Sequence, residues 1–271
     1  MSLNGLQGIG ENLKRLTLLS LSETNITNDS IRAIARGDLP HLNWLSFCTC
    51  PNVTDLDVVH LLLDNLPSLG KLYISSCSFQ PESEDEDTTT TTTTTTSTQP
   101  DTPAICKRMA HFFFSGCRAA SDRMVQRLIS RMPNLQTLVL SQCPLLTDAT
   151  FCHVADKCRH LQHVDMADCE NVTDASIVSI ARQVGPNDLL SVTTSHCSGI
   201  TSRGFKNLLR HSKHLQSLFS SGVGLTLSQQ WPDKLLQRVH LLCPSLMLLV
   251  LGLSKSRKEL ARSANPSLEI S

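Results

Sequence analysis

The sequence predicts an α/β solenoid, a horseshoe with a concave parallel sheet and convex helices. Three observations carry this: a repeat near 26 residues long, a change of hydrophobic period inside each repeat, and a Thr-Asp pair at the change. The repeat is clearest from Leu135, where Leu135, Leu138, Leu140 and Cys143 are followed by Leu146-Thr147-Asp148, Phe151 and Val154-Ala155. Twenty-six residues on, Leu161, Val164, Met166, Cys169, Val172-Thr173-Asp174, Ile177 and Ile180-Ala181 fill the same places. Further units begin at Leu16, Leu42, Leu69, Met109, Leu189, Leu215 and Leu246, giving nine units with steps of 26, 27, 40, 26, 26, 28, 26 and 31 residues. Agreement at so many positions exceeds what a single short motif offers, and the last units are the least regular.

Within each unit, the Leu-x-Leu alternation is the period-two mark of a short strand, and the later apolar residues three and four apart mark a helix. Thr27, Thr54, Ser121, Thr147, Thr173 and Thr201 stand at the switch, where a hydroxyl accepts a hydrogen bond from the first free helical amides. Asp55, Asp122, Asp148 and Asp174 come next and favour the positive end of the helix. A strand and helix this short cannot bury their apolar faces alone, so successive units must share one core. Strands stack about 4.8 Å apart and helices about 10 Å apart, which bends the stack with its sheet inside the curve.

Residues 1–12 are read as a lead-in, 13–254 as the repeat domain of about nine units, and 255–271 as a tail or partial cap. Pro266-Ser267-Leu268-Glu269-Ile270 resembles the start of one more strand. An insertion over 80–104 interrupts the third unit with Glu82-Ser83-Glu84-Asp85-Glu86-Asp87, nine threonines from Thr88 to Thr96, and Pro100 and Pro103. So acidic and apolar-poor a stretch cannot bury a core, which predicts a disordered loop. Ser83, followed by acidic residues, is a candidate phosphorylation site; the alternative is that the tract is a solvated spacer.

Lys plus Arg and Asp plus Glu both number 24, so no net field draws the chain to nucleic acid or an anionic membrane. The start lacks a secretory signal, and the longest apolar run, Leu246 to Leu251, is far short of the roughly 18 residues that span a bilayer. These features predict a soluble protein of the cytoplasm, the nucleus or both.

The unit Leu-x-x-Leu-x-Leu-Ser-x-Cys-x-x-Leu-Thr-Asp resembles the cysteine-containing leucine-rich repeat of F-box proteins and of the antagonist of mitotic exit network family. The likeness runs from about Leu13 to Leu253. In that subclass a cysteine takes the bend after the strand, a place held here by Cys50, Cys77, Cys117, Cys143, Cys169 and Cys197. A second subclass cysteine, three residues before the first leucine, is matched by Cys106, Cys158 and Cys243. Only Cys48 and Cys152 of the eleven cysteines fall outside this register.

That register argues against metal and nucleophile chemistry. Cys48 and Cys50 flank one residue and His196 precedes Cys197, but there is no Cys-x-x-Cys pair. Disulfides do not persist in a reducing compartment. His111, His163 and His196 are readable either as a proton-transfer set or as histidines of a binding face. No catalytic site assembles and no cofactor is called for, so the chain is read as a binding protein, not an enzyme.

Leucines of the strand motif point into the core, so the residues between them face the hollow. One such row is Ser20, Ser46, Tyr73, Phe113, Val139, Asp165, Thr193, Phe219 and Val250; the other is Leu18, Trp44, Lys71, His111, Thr137, His163, Ser191, Ser217 and Leu248. The chain holds one Tyr and two Trp, yet Trp44, Tyr73 and Phe113 fall on three consecutive units of these rows. Aromatics gathered in this way suit an interface core. The alternative for Phe113, within Phe112-Phe113-Phe114, is packing under the insertion. The candidate partner-binding residues are therefore Trp44, Tyr73, Phe113, Lys71, His111, Val139, His163 and Asp165.

The resemblance implies more about biology than the residues do. In F-box proteins such repeats recognise the substrate of a cullin-type ubiquitin ligase, while the F-box docks the ligase adaptor. No F-box is visible, and only about a dozen residues precede the first unit, which leads to the expectation of an F-box encoded upstream or supplied by a partner, or of a fragment. The second family implies a stand-alone scaffold or inhibitor.

Overall fold

The computed structural model describes residues 9, 12–80, 105–186, 188–222, 231–251, 258 and 268–270. Among these residues ten parallel strands lie side by side in chain order: β1 (Leu18–Ser20), β2 (Trp44–Cys48), β3 (Lys71–Ser75), β4 (His111–Ser115), β5 (Thr137–Val139), β6 (His163–Asp165), β7 (Ser191–Thr193), β8 (Ser217–Phe219), β9 (Leu248–Val250) and β10 (Glu269–Ile270). Helices return the chain between them: α1 (Asn28–Arg36), α2 (Asp57–Asn65), α3 (Asp122–Ile129), α4 (Asp148–Lys157), α5 (Asp174–Gln183), α6 (Ser202–His211), and the short α7 (Asp233–Leu236) and α8 (Val239–Leu242). This is the α/β horseshoe that the repeat predicts, with β10 adding a tenth strand in the 255–271 segment.

The core forms because each strand turns alternate residues inward. Leu45 and Phe47, Leu72 and Ile74, Phe112 and Phe114, and Leu138 and Leu140 are buried in successive units. They meet helix residues spaced three and four apart, such as Ile31, Ile34 and Ala35 or Phe151, Val154 and Ala155. Two late units put a polar residue at the third inward position, Thr194 and Ser220, and both are buried. The Thr194 hydroxyl donates to the Phe219 carbonyl at 3.4 Å, and the Trp231 indole donates to Ser220 Oγ at 3.4 Å. Trp231 is buried against Phe205, ring centres 4.5 Å apart, and replaces apolar volume that a serine lacks.

Thr147, Thr173 and Thr201 cap their helices, accepting from the amides of Ala149, Ala175 and Arg203 at 3.2, 3.3 and 3.2 Å, and Ser121 accepts from Met124 at 3.3 Å. Thr54 departs from the expectation. Its helix begins later, at Asp57 after the N-cap Leu56, and Asp55 accepts from the Asp57 amide at 2.9 Å instead. Thr27 and Ser30 form a reciprocal capping box, in which Ser30 Oγ accepts from the Thr27 backbone amide at 3.1 Å.

Asp122, Asp148 and Asp174 do more than sit at helix ends, because each also ties its helix to the next unit. Asp122 accepts from the Thr147 amide and hydroxyl at 2.9 and 2.6 Å. Asp148 does the same for Thr173 at 2.9 and 2.6 Å, and Asp174 for Thr201 at 2.7 and 2.6 Å. Thr150 and Ser176 add hydroxyl bonds to Asp122 and Asp148. At the matching place beside Asp174 stands Gly204, where a Cβ would come within 2.4 Å of Asp174 Oδ1. In the first unit Asn28 takes the role, accepting from the Thr54 and Asp55 amides at 2.9 and 3.2 Å and donating to the Thr54 hydroxyl at 3.0 Å.

Among the described residues no helix lies between β3 and β4. Arg131, only 2% exposed, reaches across this interval from the turn after α3. Its guanidinium donates to the His60 carbonyl and approaches His60 Nδ1, each at 3.2 Å, and pairs with Asp64, both residues on α2. Cys106 Sγ also donates to the Leu63 carbonyl at 3.4 Å. The expected insertion, with Ser83, lies outside the described residues beyond Gln80.

Candidate functional site

The inner face carries the two rows in strict register. Trp44, Lys71, His111, Thr137, His163, Ser191 and Ser217 pair strand to strand, as do Ser46, Tyr73, Phe113, Val139, Asp165, Thr193 and Phe219. Parallel pairing repeats this placement at each strand spacing, so any ring on one unit is brought beside its neighbour. Tyr73 and Phe113 stack with centres 4.1 Å apart and planes 13° from parallel. Trp44, one row over, tilts onto Tyr73 at 5.4 Å and 53°. All three rings are half-buried, held by backbone whose neighbours Leu45, Leu72, Phe112 and Phe114 are locked in the core. Ser46 differs from its row, being buried and bonded to Ser22 Oγ at 2.8 Å.

Beside the rings, Lys71 has no ion-pair or hydrogen-bond partner for its ammonium among the described residues. His111 Nδ1 is 3.0 Å from the Thr137 hydroxyl. Burial first, then the charges of Lys71 and His163, lowers the His111 pKa from its ordinary value. His163 is exposed, and Val139 half-buried. Asp165 accepts from the Ala167 amide at 2.9 Å, while burial raises its carboxyl above the usual range, with Asp168 adding to the effect. Thus the structure brings Trp44, Tyr73 and Phe113 into mutual contact and sets Lys71, His111 and His163 along one row, with Val139 and Asp165 farther along the other.

Past the strands lies a second regular feature. Glu23, Thr49, Ser76, Gly116, Gln142, Asp168 and His196 all have positive φ, from 52° to 67°. From Thr49 onward each immediately precedes a bend cysteine, and each donates its amide to the following unit, as Gln142 does to the Ala167 carbonyl at 2.8 Å. This left-handed turn aims the cysteine inward. The thiols of Cys50, Cys77, Cys169 and Cys197 then donate to Leu21, Phe47, Leu140 and Met166 carbonyls at 3.3, 3.4, 3.1 and 3.0 Å. Burial pushes Cys143 up to about 11 and Cys77, Cys169 and Cys197 up to about 12. Such thiols are structural groups, protonated at neutral pH.

His196 Nδ1 lies 2.7 Å from Asp168 Oδ1 in this second row, apart from His111 and His163 on the strands, so the three histidines form no single cluster. Among the described residues, no three His, Cys, Asp or Glu side chains are grouped to hold a metal, and no helix is long and apolar enough to cross a membrane. A hollow of about 840 Å³ opens by Arg118, Gln142, Asp168 and Glu170, at the edge of the sheet rather than over the rings. What the inner face offers at the rings is one contiguous aromatic surface.

The architecture is that of a leucine-rich-repeat solenoid. Residues 157–181 match a family model described as Leucine Rich repeat. No curated protein sequence matches the chain. Solved structures share the fold: one is a Bacteroides fragilis protein with a TM-score of 0.54 and 15% identity, covering 100% of this chain and 72% of its own. Another is the leucine-rich repeat-containing protein LegL7 of Legionella pneumophila, with a TM-score of 0.50 and 12% identity, covering 98% of this chain and 86% of its own. The chain has the fold of a leucine-rich-repeat solenoid.

Proposed function

We propose that the chain holds a target protein on the first half of its concave face, with Trp44, Tyr73 and Phe113 as the anchor and Lys71, His111, Val139, His163 and Asp165 around it. The observation that carries this reading is the contact of three half-buried rings on a rigid sheet. Rings already stacked lose little further freedom on docking, and aromatic anchors dominate the energy of such interfaces. The balanced charge of 24 basic and 24 acidic residues supports a protein over nucleic acid or membrane.

In the finer reading the module is the substrate-recognition part of a cullin-type ubiquitin ligase. It rests on the resemblance of the cysteine-bearing units to F-box repeats, and it requires an F-box encoded upstream or supplied by another chain to dock the adaptor. A partner captured from cells, identified and purified, would be titrated against the native chain, Trp44→Ala and Phe219→Ala. Binding should fall in the first variant and persist in the second. Recovery of the ligase adaptor and target-dependent ubiquitin transfer would support the ligase reading; a bound target with neither would leave the stand-alone scaffold or inhibitor.

A further inference from the structure

The chemistry of the partner is written beside the rings. Lys71 on β3 and His111 on β4 are direct strand neighbours, and His163 on β6 follows two strands later in the same row. At about 4.8 Å per strand, Lys71 to His163 spans roughly 14 Å. That is about four residues of an extended chain. Neither the Lys71 ammonium nor the His163 ring has a hydrogen-bond or ion-pair partner among the described residues, and Thr137, the member between the histidines, is uncharged. One row away, within reach of the same segment, lie Tyr73 and Phe113.

We propose that Lys71, His111 and His163 receive acidic side chains of an extended partner segment whose apolar or aromatic side chains lie on Trp44, Tyr73 and Phe113. The inference rests on the binding reading above and gives its occupant a composition. Polynucleotide fits less well, because Asp165 stands on the same face next to the row and Asp168 and Glu170 follow it, so a continuous phosphate chain meets repulsion where a short acidic stretch does not.

Proton linkage follows. The groups facing His111 are Lys71 and Tyr73 from β3, Thr137 from β5, and His163 and Asp165 from β6. In the free protein burial, Lys71 and His163 disfavour its protonation. A carboxylate seated on the row reverses the balance and raises its pKa, so binding takes up protons and tightens as pH falls toward the histidine range.

The probe is a blocked nonapeptide, Gly-Glu-Phe-Glu-Ser-Glu-Phe-Glu-Gly, with counterparts bearing Gln or Lys at each Glu, titrated calorimetrically against the full chain. The Glu peptide should bind about tenfold tighter than the Gln peptide, with the Lys peptide weakest. Its affinity should be about threefold higher near pH 6 than near pH 8, and the His111 ring resonances should titrate at higher pH in its presence. Lys71→Glu should abolish the preference for Glu over Gln, while Lys206→Glu, on exposed α6, should keep it. Equal binding of the Glu and Gln peptides, preference for Lys, or no peptide binding overturns the acidic assignment. None of these touches the Trp44 test with the native partner, which judges the aromatic anchor separately. A thymidine oligomer that outbinds the Glu peptide would likewise overturn it and assign the face to nucleic acid.

Discussion

Units 2 to 4 and units 5 to 7 obey one strand register but are fastened by different side-chain contacts. In the first group β2, β3 and β4 each run five residues, rings stack on the inner face, and Arg131, in the turn after α3, bonds His60 and Asp64 on α2. In the second, β5, β6 and β7 run three residues, the inner face is mostly polar, and successive helices are pinned by Asp148 and Asp174 on the threonines of the next unit, with Asp122 of unit 4 binding Thr147 in the same way. A solenoid needs only that each unit hold its neighbour, and either layer can carry that link. Where the sheet carries it, broad apolar rings on the concave face are tolerated and presented rigidly. Where the helix caps carry it, that face is free to be plain.

The widest test of this contrast is loss of core volume. Leu72→Ala and Leu138→Ala, both fully buried, should each cost about 2–5 kcal/mol in urea unfolding. A loss well below that range at Leu72 alone would show that units 2 to 4 lean on their core less than units 5 to 7.

Removing a ring should separate binding from folding. Trp44→Ala, Tyr73→Ala or Phe113→Ala should weaken the native partner by about 2 kcal/mol or more while leaving the melting temperature almost unchanged. Destabilisation by Trp44→Ala would instead show the stack to be part of the fold.

The helix-cap link should be sensitive to acid. Burial by itself would raise the Asp148 carboxyl, but bonds from Ser176 and Thr173 outweigh it and hold the pKa below the ordinary value. A carboxyl lowered by folding contributes stability above its unfolded pKa of about 3.9, and that contribution disappears as pH falls through the lower folded value. Asp148→Asn should therefore cost about 1 kcal/mol at neutral pH and nearly nothing at acid pH, a modest figure because the site is partly exposed. Asn28, which fills the same role in the first unit, does not titrate, so hydrogen exchange at low pH should loosen units 5 to 7 before units 1 and 2.

Smallest in energy, but sharp in readout, is thiol reactivity. Cys143 and Cys169 are buried in the ladder, whereas Cys48 and Cys152 are half-exposed. A thiol reagent followed by mass spectrometry should label Cys48 and Cys152 first and reach Cys143 and Cys169 only in denaturant. Early labelling of the latter pair would break the cysteine register.

The solenoid, its strand rows and the inward cysteines were legible in the residues, because hydrophobic period and repeat length are local properties that stacking merely copies from unit to unit. So were the positions of Trp44, Tyr73 and Phe113 on the inner face. Their contact was not, since ring distance depends on strand spacing and on the tilt of Trp44 across rows. The Thr-Asp pair was read as a helix cap, yet Asp148 also binds Thr173, 25 residues away, a link between units that no single unit contains. Thr54 misled the reading because its helix starts late and Asn28 from the preceding unit claims its polar groups. The left-handed residue before each bend cysteine was hidden because Thr49, Ser76, Gln142, Asp168 and His196 share no side-chain type; the backbone turn is imposed by the next unit's carbonyl. Arg131 was equally unreadable, for its partners His60 and Asp64 lie about 70 residues back and meet it only in the folded stack.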